Sequence, residues 1–210
     1  MLRDRTRWIK VCGVTRPADV DVVCEAGADA VGMIFASSSR QVGIPAALAL
    51  SREARHRALR VGVFRSQDDD AIMRVLDSVD LDVVQIHDAI TPEFAATLHE
   101  RRLAIIGAVS VGTSSFASYE DDHLDAVLVD GPVPGSGKEH AWTEVGSRDW
   151  RRPVIAAGGL RPQNVAAVIA APWVWGVDVA TGVESSPGVK DPAMVRAFVA
   201  NARRAFEERG

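Results

Sequence analysis

The 210-residue sequence predicts a single-domain (β/α)8 barrel of the TIM type spanning residues 1–210, and three observations carry that expectation. Eight short β-rich runs alternate with helical segments from one end of the chain to the other, the rhythm of a (β/α)8 barrel in a small version. Most of the runs are dense in Val, Ile and Ala with little alternation, as strands buried on both faces are. The first of them opens into Cys12-Gly13-Val14-Thr15-Arg16-Pro17, which lacks the G-x-G-x-x-G fingerprint. An open doubly wound sheet, the alternative, would normally have fewer strands and that fingerprint. No internal linker, low-complexity stretch or short-period repeat divides the chain.

The strand candidates are residues 8–11, 30–35, 60–64, 83–86, 104–109, 126–129, 154–157 and 176–179. The helix after the first starts at Pro17, where proline suits a first turn, and stops at Gly27. The next runs from Pro45 to about Arg57. Asp68 to Ser78 opens on an acidic cluster, which suits the positive end of a helix. Thr91-Pro92 caps a helix reaching about Arg102, and residues 114–119 form a weak, short one. Pro162–Ala170 and Pro192–Glu208 complete the set.

Hydrophobic residues make up 47% and charged residues 25% of the chain, with a net charge of -4, so a substantial core is available and nucleic acid is not an expected partner. Two cysteines form no disulfide framework, and no apolar run of ~18 residues suggests a membrane span. The charged start of the chain lacks the apolar core of a signal peptide, so a cytoplasmic protein is expected. The oligomeric state, monomer or homodimer, is left open.

In a barrel of this kind, function sits at the carboxyl ends of the strands. Cys12 ends the first run beside a glycine that lets a ligand approach. It reads either as a small buried hydrophobe, like Cys24 among Val20, Val23 and Ala26, or as a reactive thiol. Asp130 abruptly ends the apolar run from Ala126; it caps a loop or acts as an acid raised by partial desolvation. Three glycine clusters follow the last three strands: Gly135-Ser136-Gly137, Gly158-Gly159 and Thr181-Gly182. Together they point to a phosphate held by backbone N–H groups, the usual phosphate position in this fold. Glu139 after Gly137-Lys138 excludes a nucleotide P-loop. Arg40 can grip a carboxylate at two points or be solvated, and His87 contacts substrate or is a hydrogen-bonded structural residue. The five histidines show no metal-ligand spacing, so no metal is expected.

With those positions laid out, the chain resembles the phosphoribosylanthranilate isomerases of tryptophan biosynthesis over nearly its whole length. The resemblance rests on KVCGVTRPADV (10–20), GADAVGMIFASSSRQV (27–42), VGVF (61–64), VVQIH (83–87), AVLVDG (126–131), PGSGKEHAW (134–142), IAAGGLRPQNV (155–165) and VDVATGVESSPGVKD (177–191). It implies an Amadori rearrangement of an aminoaldose to an aminoketose on a small phosphosugar substrate, with no cofactor. It further implies Asp130 as general acid on the ring oxygen and Cys12 as general base on C2. By the same likeness Gly135, Ser136, Gly137, Gly158, Gly159, Thr181 and Gly182 hold the phosphate, and Arg40 lies near the anthranilate moiety.

The chain departs from the family in places. Thr181 stands where serine is frequent, Asp88 where glycine is usual, and Ala141 where an acid is common. The family commonly reads GGTG where this chain has Pro134-Gly135-Ser136-Gly137. The histidine-pathway isomerase, which performs the same rearrangement on a related ribonucleotide, typically carries aspartate where Cys12 stands. A dual-substrate enzyme and a non-catalytic phosphosugar-binding barrel are the remaining readings.

Overall fold

A computed structural model describes Leu2 and residues 7–112, 122–131 and 145–210. Eight parallel strands close into a barrel in sequence order: β1 (Trp8–Cys12), β2 (Ala30–Ile34), β3 (Leu59–Phe64), β4 (Val83–Ile86), β5 (Ala104–Ser110), β6 (Ala126–Asp130), β7 (Val154–Ala157) and β8 (Val174–Val179). The last strand pairs with the first, Lys10 lying opposite Asp178 and Val11 opposite Val179. The doubly wound alternative is thereby overturned, since an open sheet would leave β1 and β8 unpaired with each other.

Among the described residues the named helices are α1 (Pro17–Glu25), α2 (Ile44–Ala54), α3 (Asp69–Leu76), α4 (Pro92–Glu100), α5 (Val165–Ile169) and α6 (Pro192–Arg209). Three have side-chain caps. Asp68 accepts from the Ala71 N–H at 2.7 Å, Thr91 from Phe94 at 3.2 Å, and Asp191 from both Ala193 and Met194. Each such cap stabilises a helix by about 1 kcal/mol. α5 is shorter than its sequence suggests. Residues 162–164 turn instead, because Asn164 accepts from the Arg161 N–H and donates to the Gly159 carbonyl, holding a tight turn where the helix was expected to start. The weak helix expected at 114–119 lies outside the described residues.

The barrel strands are buried on both faces, apart from ends such as Ser110 and Asp130. Ile9, Val11, Val31, Val84, Ile105, Val127 and Val177 pack outward against the helices. Trp8, Cys12, Ala30, Val61, Val63, Ile106, Leu128 and Ile155 belong to the cluster that fills the barrel. This two-faced burial is why the runs lack alternation. Trp175 stacks on Trp8, with ring centroids 6.0 Å apart.

Aspartates serve both ends of the barrel, by different means. Asp29, Asp82 and Asp125 each precede a strand and accept the backbone N–H of a neighbouring strand's residue: Ile9, Arg60 and Ile105 respectively, all at 2.9 Å. These carboxylates occupy the amino-terminal face, where they satisfy strand ends. Asp130 and Asp178, on β6 and β8, line a cavity at the opposite end. A short hairpin of β9 (Glu184–Ser186) and β10 (Val189–Lys190), which the sequence did not announce, lies between β8 and α6.

Candidate active site

Strand pairing turns the alternation of each strand into a shared interior surface. Cys12 is the last residue of β1 and Asp130 the last of β6, rather than the first residue of the loop in either case. Both face inward and line one cavity of about 280 Å³ at the carboxyl-terminal mouth, together with Ile34, Gln85, His87, Leu128 and Asp178. Its wall continues through Gly158, Gly159, Leu160 and Thr181.

The Cys12 thiol is buried, and burial pushes its pKa up. Lys10, two residues earlier on the same face, opposes that rise, and Asp178 adds to it. Lys10 is fully buried and donates to the Asp178 carboxylate at 3.0 Å. Burial lowers its ammonium pKa, but Asp178 and Cys12 more than compensate, so it stays firmly protonated. This pair was not singled out from sequence; the i, i+2 spacing of Lys10 and Cys12 was the available signal.

Asp130 is the one exposed residue of its strand, open to the cavity yet surrounded by protein on its other sides. Desolvation raises its pKa, Asp178 raises it further, and Arg65 pulls the other way. Gly158 packs directly on this carboxyl: a Cβ there would lie 2.6 Å from Oδ1, and its φ of 96° is one only glycine adopts readily.

The His87 imidazole Nε2 lies 3.2 Å from the Gln85 side-chain amide nitrogen. Burial lowers the His87 pKa, and Lys10 and Arg65 lower it further, so the ring is neutral at pH 7. His87 therefore both lines the cavity and has a structural partner. Asp88 is exposed and accepts the Ser66 N–H in the loop after β3; it is not part of the cavity wall.

Of the three glycine clusters, two meet. Gly159, Thr181 and Gly182 line a groove of about 480 Å³ with Leu160, Arg161 and Gln163, and this groove shares Gly159, Leu160 and Thr181 with the mouth cavity. Thr181 and Gly182 begin a 3-10 turn, and Gly182 abuts the Leu160 carbonyl so closely that no side chain fits there. Gly135, Ser136 and Gly137, like Ala141, fall outside the described residues.

Arg40 lies over Gly13, whose missing Cβ leaves room for it, and grips Glu184 with Nε and Nη2 at 2.8 and 2.7 Å. Glu184 also accepts from Lys190 at 2.9 Å, and Lys190 donates to the Ala180 carbonyl at 3.1 Å. Glu184 and Lys190 are the other site residues that sequence reasoning passed over, although both lie in the quoted GVESSPGVKD segment. Among the described residues, no group of three His, Cys, Asp or Glu side chains is arranged to hold a metal, and no helix is long and apolar enough to cross a membrane.

A closed parallel barrel with a thiol, a carboxyl and an imidazole gathered at its carboxyl-terminal mouth has the arrangement of a (β/α)8 barrel enzyme. The family profile described as N-(5'phosphoribosyl)anthranilate (PRA) isomerase matches residues 9–201, so the chain belongs to that isomerase family. It is 35% identical over 202 residues to the N-(5'-phosphoribosyl)anthranilate isomerase of Desulforudis audaxviator, covering 94% of this chain and 98% of the relative. It superposes on the crystal structure of the Thermotoga maritima phosphoribosyl anthranilate isomerase with a TM-score of 0.83 at 33% identity, over 94% of this chain and 99% of that one. A phosphoribosyl anthranilate isomerase in complex with reduced 1-(o-carboxyphenylamino)-1-deoxyribulose 5-phosphate gives a TM-score of 0.80 at 30% identity, with the same coverage.

Proposed function

We propose that this chain, as one barrel domain, converts N-(5-phosphoribosyl)anthranilate to 1-(2-carboxyphenylamino)-1-deoxyribulose 5-phosphate in the cytoplasm, with Asp130 as general acid and Cys12 as general base. The observation that carries the assignment is that these two side chains, 118 positions apart in sequence by number (130 − 12), line one cavity of about 280 Å³.

Asp130 donates its proton to the furanose ring oxygen, and the C1–O bond breaks to leave a protonated Schiff base at C1. The Cys12 thiolate then removes the proton from C2. The electron pair of that C–H bond forms C1=C2, and the nitrogen takes the pair of the C=N bond, giving an enolamine. Proton transfer from the C2 hydroxyl to C1 yields the ketone, and the proton taken by Cys12 returns through solvent to Asp130, so atoms and charge balance over the cycle. Gly158, Gly159, Thr181 and Gly182, with Gly135, Ser136 and Gly137, hold the phosphate; Arg40, whose Nε and Nη2 are bound to Glu184, lies near the anthranilate moiety, and His87 contacts substrate. Fixing a phosphate and a carboxylate at opposite ends orients C1 and C2 between acid and base, where orientation lowers the barrier.

The electrostatics predict the protonation states. Burial raises both groups from their ordinary values, and a thiol ordinarily titrates well above a carboxyl. The productive form, thiolate with carboxylic acid, is thus the minor tautomer of the singly protonated pair. Rate then follows a bell, rising through the Asp130 titration and falling through that of Cys12.

The test is to supply both the anthranilate aminoaldose and the histidine-pathway aminoaldose to the purified protein and to Cys12→Ala and Asp130→Ala. Turnover of the anthranilate substrate should fall by about 10² to 10⁴-fold in each variant. Full activity in either variant would sink the assignment, and binding of a product analogue without turnover by the unaltered protein would favour a non-catalytic barrel.

A further inference from the structure

We propose that Lys10 is a positioning residue for the base: its ammonium, held from the far side by Asp178, sits beneath Cys12 as the built-in counter-ion of the thiolate. This rests on the reading of Cys12 as base.

The geometry follows from strand alternation and closure. Residues 10 and 12 point the same way from β1, and barrel closure sets Lys10 opposite Asp178 on β8. The Lys10 Nζ meets Asp178 Oδ1 at 3.0 Å, and the Lys10 stem and the Cys12 sulfur crowd the same spot over Gly32. Gly32, paired with Cys12 across β1 and β2, makes the space: a Cβ there would stand 2.7 Å from the Cys12 sulfur and 3.0 Å from Lys10 Cε.

Stability does not explain the pair. Burying two charges costs about as much desolvation as their attraction returns, and apolar side chains of like volume commonly serve as well. The surrounding interior, with Ala30, Val61, Val83 and Ile106, is built that way. A buried thiolate, however, is stabilised by a nearby cation, and Lys10, on the same face of β1, is one that lowers the Cys12 pKa.

The other charges facing Cys12 do not substitute for Lys10. Lys190 reaches it from β10 and Arg40 from the loop after β2, but both are committed to Glu184. His87 and Asp130 line the same cavity from the β4 and β6 sides, and Arg65 acts on those two. Asp178 opposes the thiolate directly while anchoring its cation, so it sets how strongly Lys10 acts.

The experiment uses the Cys24→Ser protein, in which Cys12 is the sole thiol. Its ionisation is followed by thiolate ultraviolet absorbance and by alkylation rate against pH. Lys10→Met should raise the Cys12 midpoint by about one pH unit or more. The descending limb of the kcat/KM profile should move up with it, and the plateau should fall about tenfold per unit, as the productive tautomer becomes rarer. Asp178→Asn should move the midpoint the opposite way, downward. A midpoint unmoved by Lys10→Met, or shifted in the same direction by both variants, overturns the proposal, because lost packing alone has no sign. Should Lys10→Met fail to fold, Asp178→Asn decides: a lowered midpoint supports the proposal and an unmoved or raised one ends it. Failure here with Cys12→Ala still inactive removes only the role of Lys10, whereas an active Cys12→Ala removes the base itself.

Discussion

The Arg40 guanidinium and the Glu184 carboxylate, from the loop after β2 and the hairpin after β8, meet through two hydrogen bonds of 2.8 and 2.7 Å. Lys190 completes the cluster from β10, and Thr15 ties the β1 loop to the same hairpin by donating to the Gly188 carbonyl at 2.6 Å. The hairpin thus joins the first two loops of the barrel to the last.

Glu184 makes the stability of this corner acid-sensitive. Burial alone would raise its pKa, but hydrogen bonds from Arg40 and Lys190 prevail and hold the carboxyl below its ordinary value. A depressed acid contributes stability that is present above its unfolded pKa and lost as pH falls through the folded one. Glu184→Gln should therefore cost about 1–3 kcal/mol at neutral pH, and the deficit should shrink only as pH falls below the ordinary glutamate value of 4.5. Urea unfolding of both proteins at several pH values measures it.

Arg40→Lys tests the substrate end. A lysine ammonium cannot reproduce the planar two-point grip on Glu184 that fixes the guanidinium in place. KM for the anthranilate substrate should rise about tenfold, the loss of roughly one charge-assisted hydrogen bond, with a smaller change in kcat. Steady-state kinetics separates the two.

Asp130→Asn should separate catalysis from stability. A raised carboxyl has its stability contribution fully present below the unfolded pKa and loses it as pH rises through the folded one. Above its raised folded pKa the ionised Asp130 is therefore a burden on the fold. The asparagine variant should melt on the order of 1–3 °C higher near neutrality, lose that advantage in acid, and be almost inactive. Thermal melts across pH, paired with the assay, check both halves.

Gly32→Ala probes the space under the thiol. The added methyl would meet both the Cys12 sulfur and Lys10, and such overpacking costs about 1–3 kcal/mol. Displacing the base by a fraction of an ångström should lower kcat more than it raises KM. An unchanged kcat in a folded variant would mean that the sulfur has more freedom than this packing implies.

Gly182→Ala addresses the phosphate groove, where a Cβ would run into the Leu160 carbonyl. Inhibition by inorganic phosphate should weaken by about tenfold, with unfolding in urea followed in parallel to separate loss of the groove from loss of the fold.

Much of this molecule is determined locally and so can be read along the chain. Val- and Ile-rich runs of four to seven residues, Pro17, Pro92 and Pro192 in first helical turns, and Asp68 and Thr91 as caps announce a strand–helix alternation without reference to anything distant. The ends of those runs also mark Cys12 and Asp130, because an abrupt polar or reactive residue after an apolar strand is a local signal. Ring closure was not local: it depends on β8 finding β1, and that pairing alone sets Lys10 against Asp178. The same holds for Arg40 with Glu184 and for the split of the aspartates between strand capping and the cavity, since a carboxylate looks alike in sequence whichever end of the barrel it occupies. The sequence by itself determined which side chains are available at each strand end. The tertiary structure decided which charges face one another, because Coulomb interactions and desolvation depend on distance through space and not on separation along the chain.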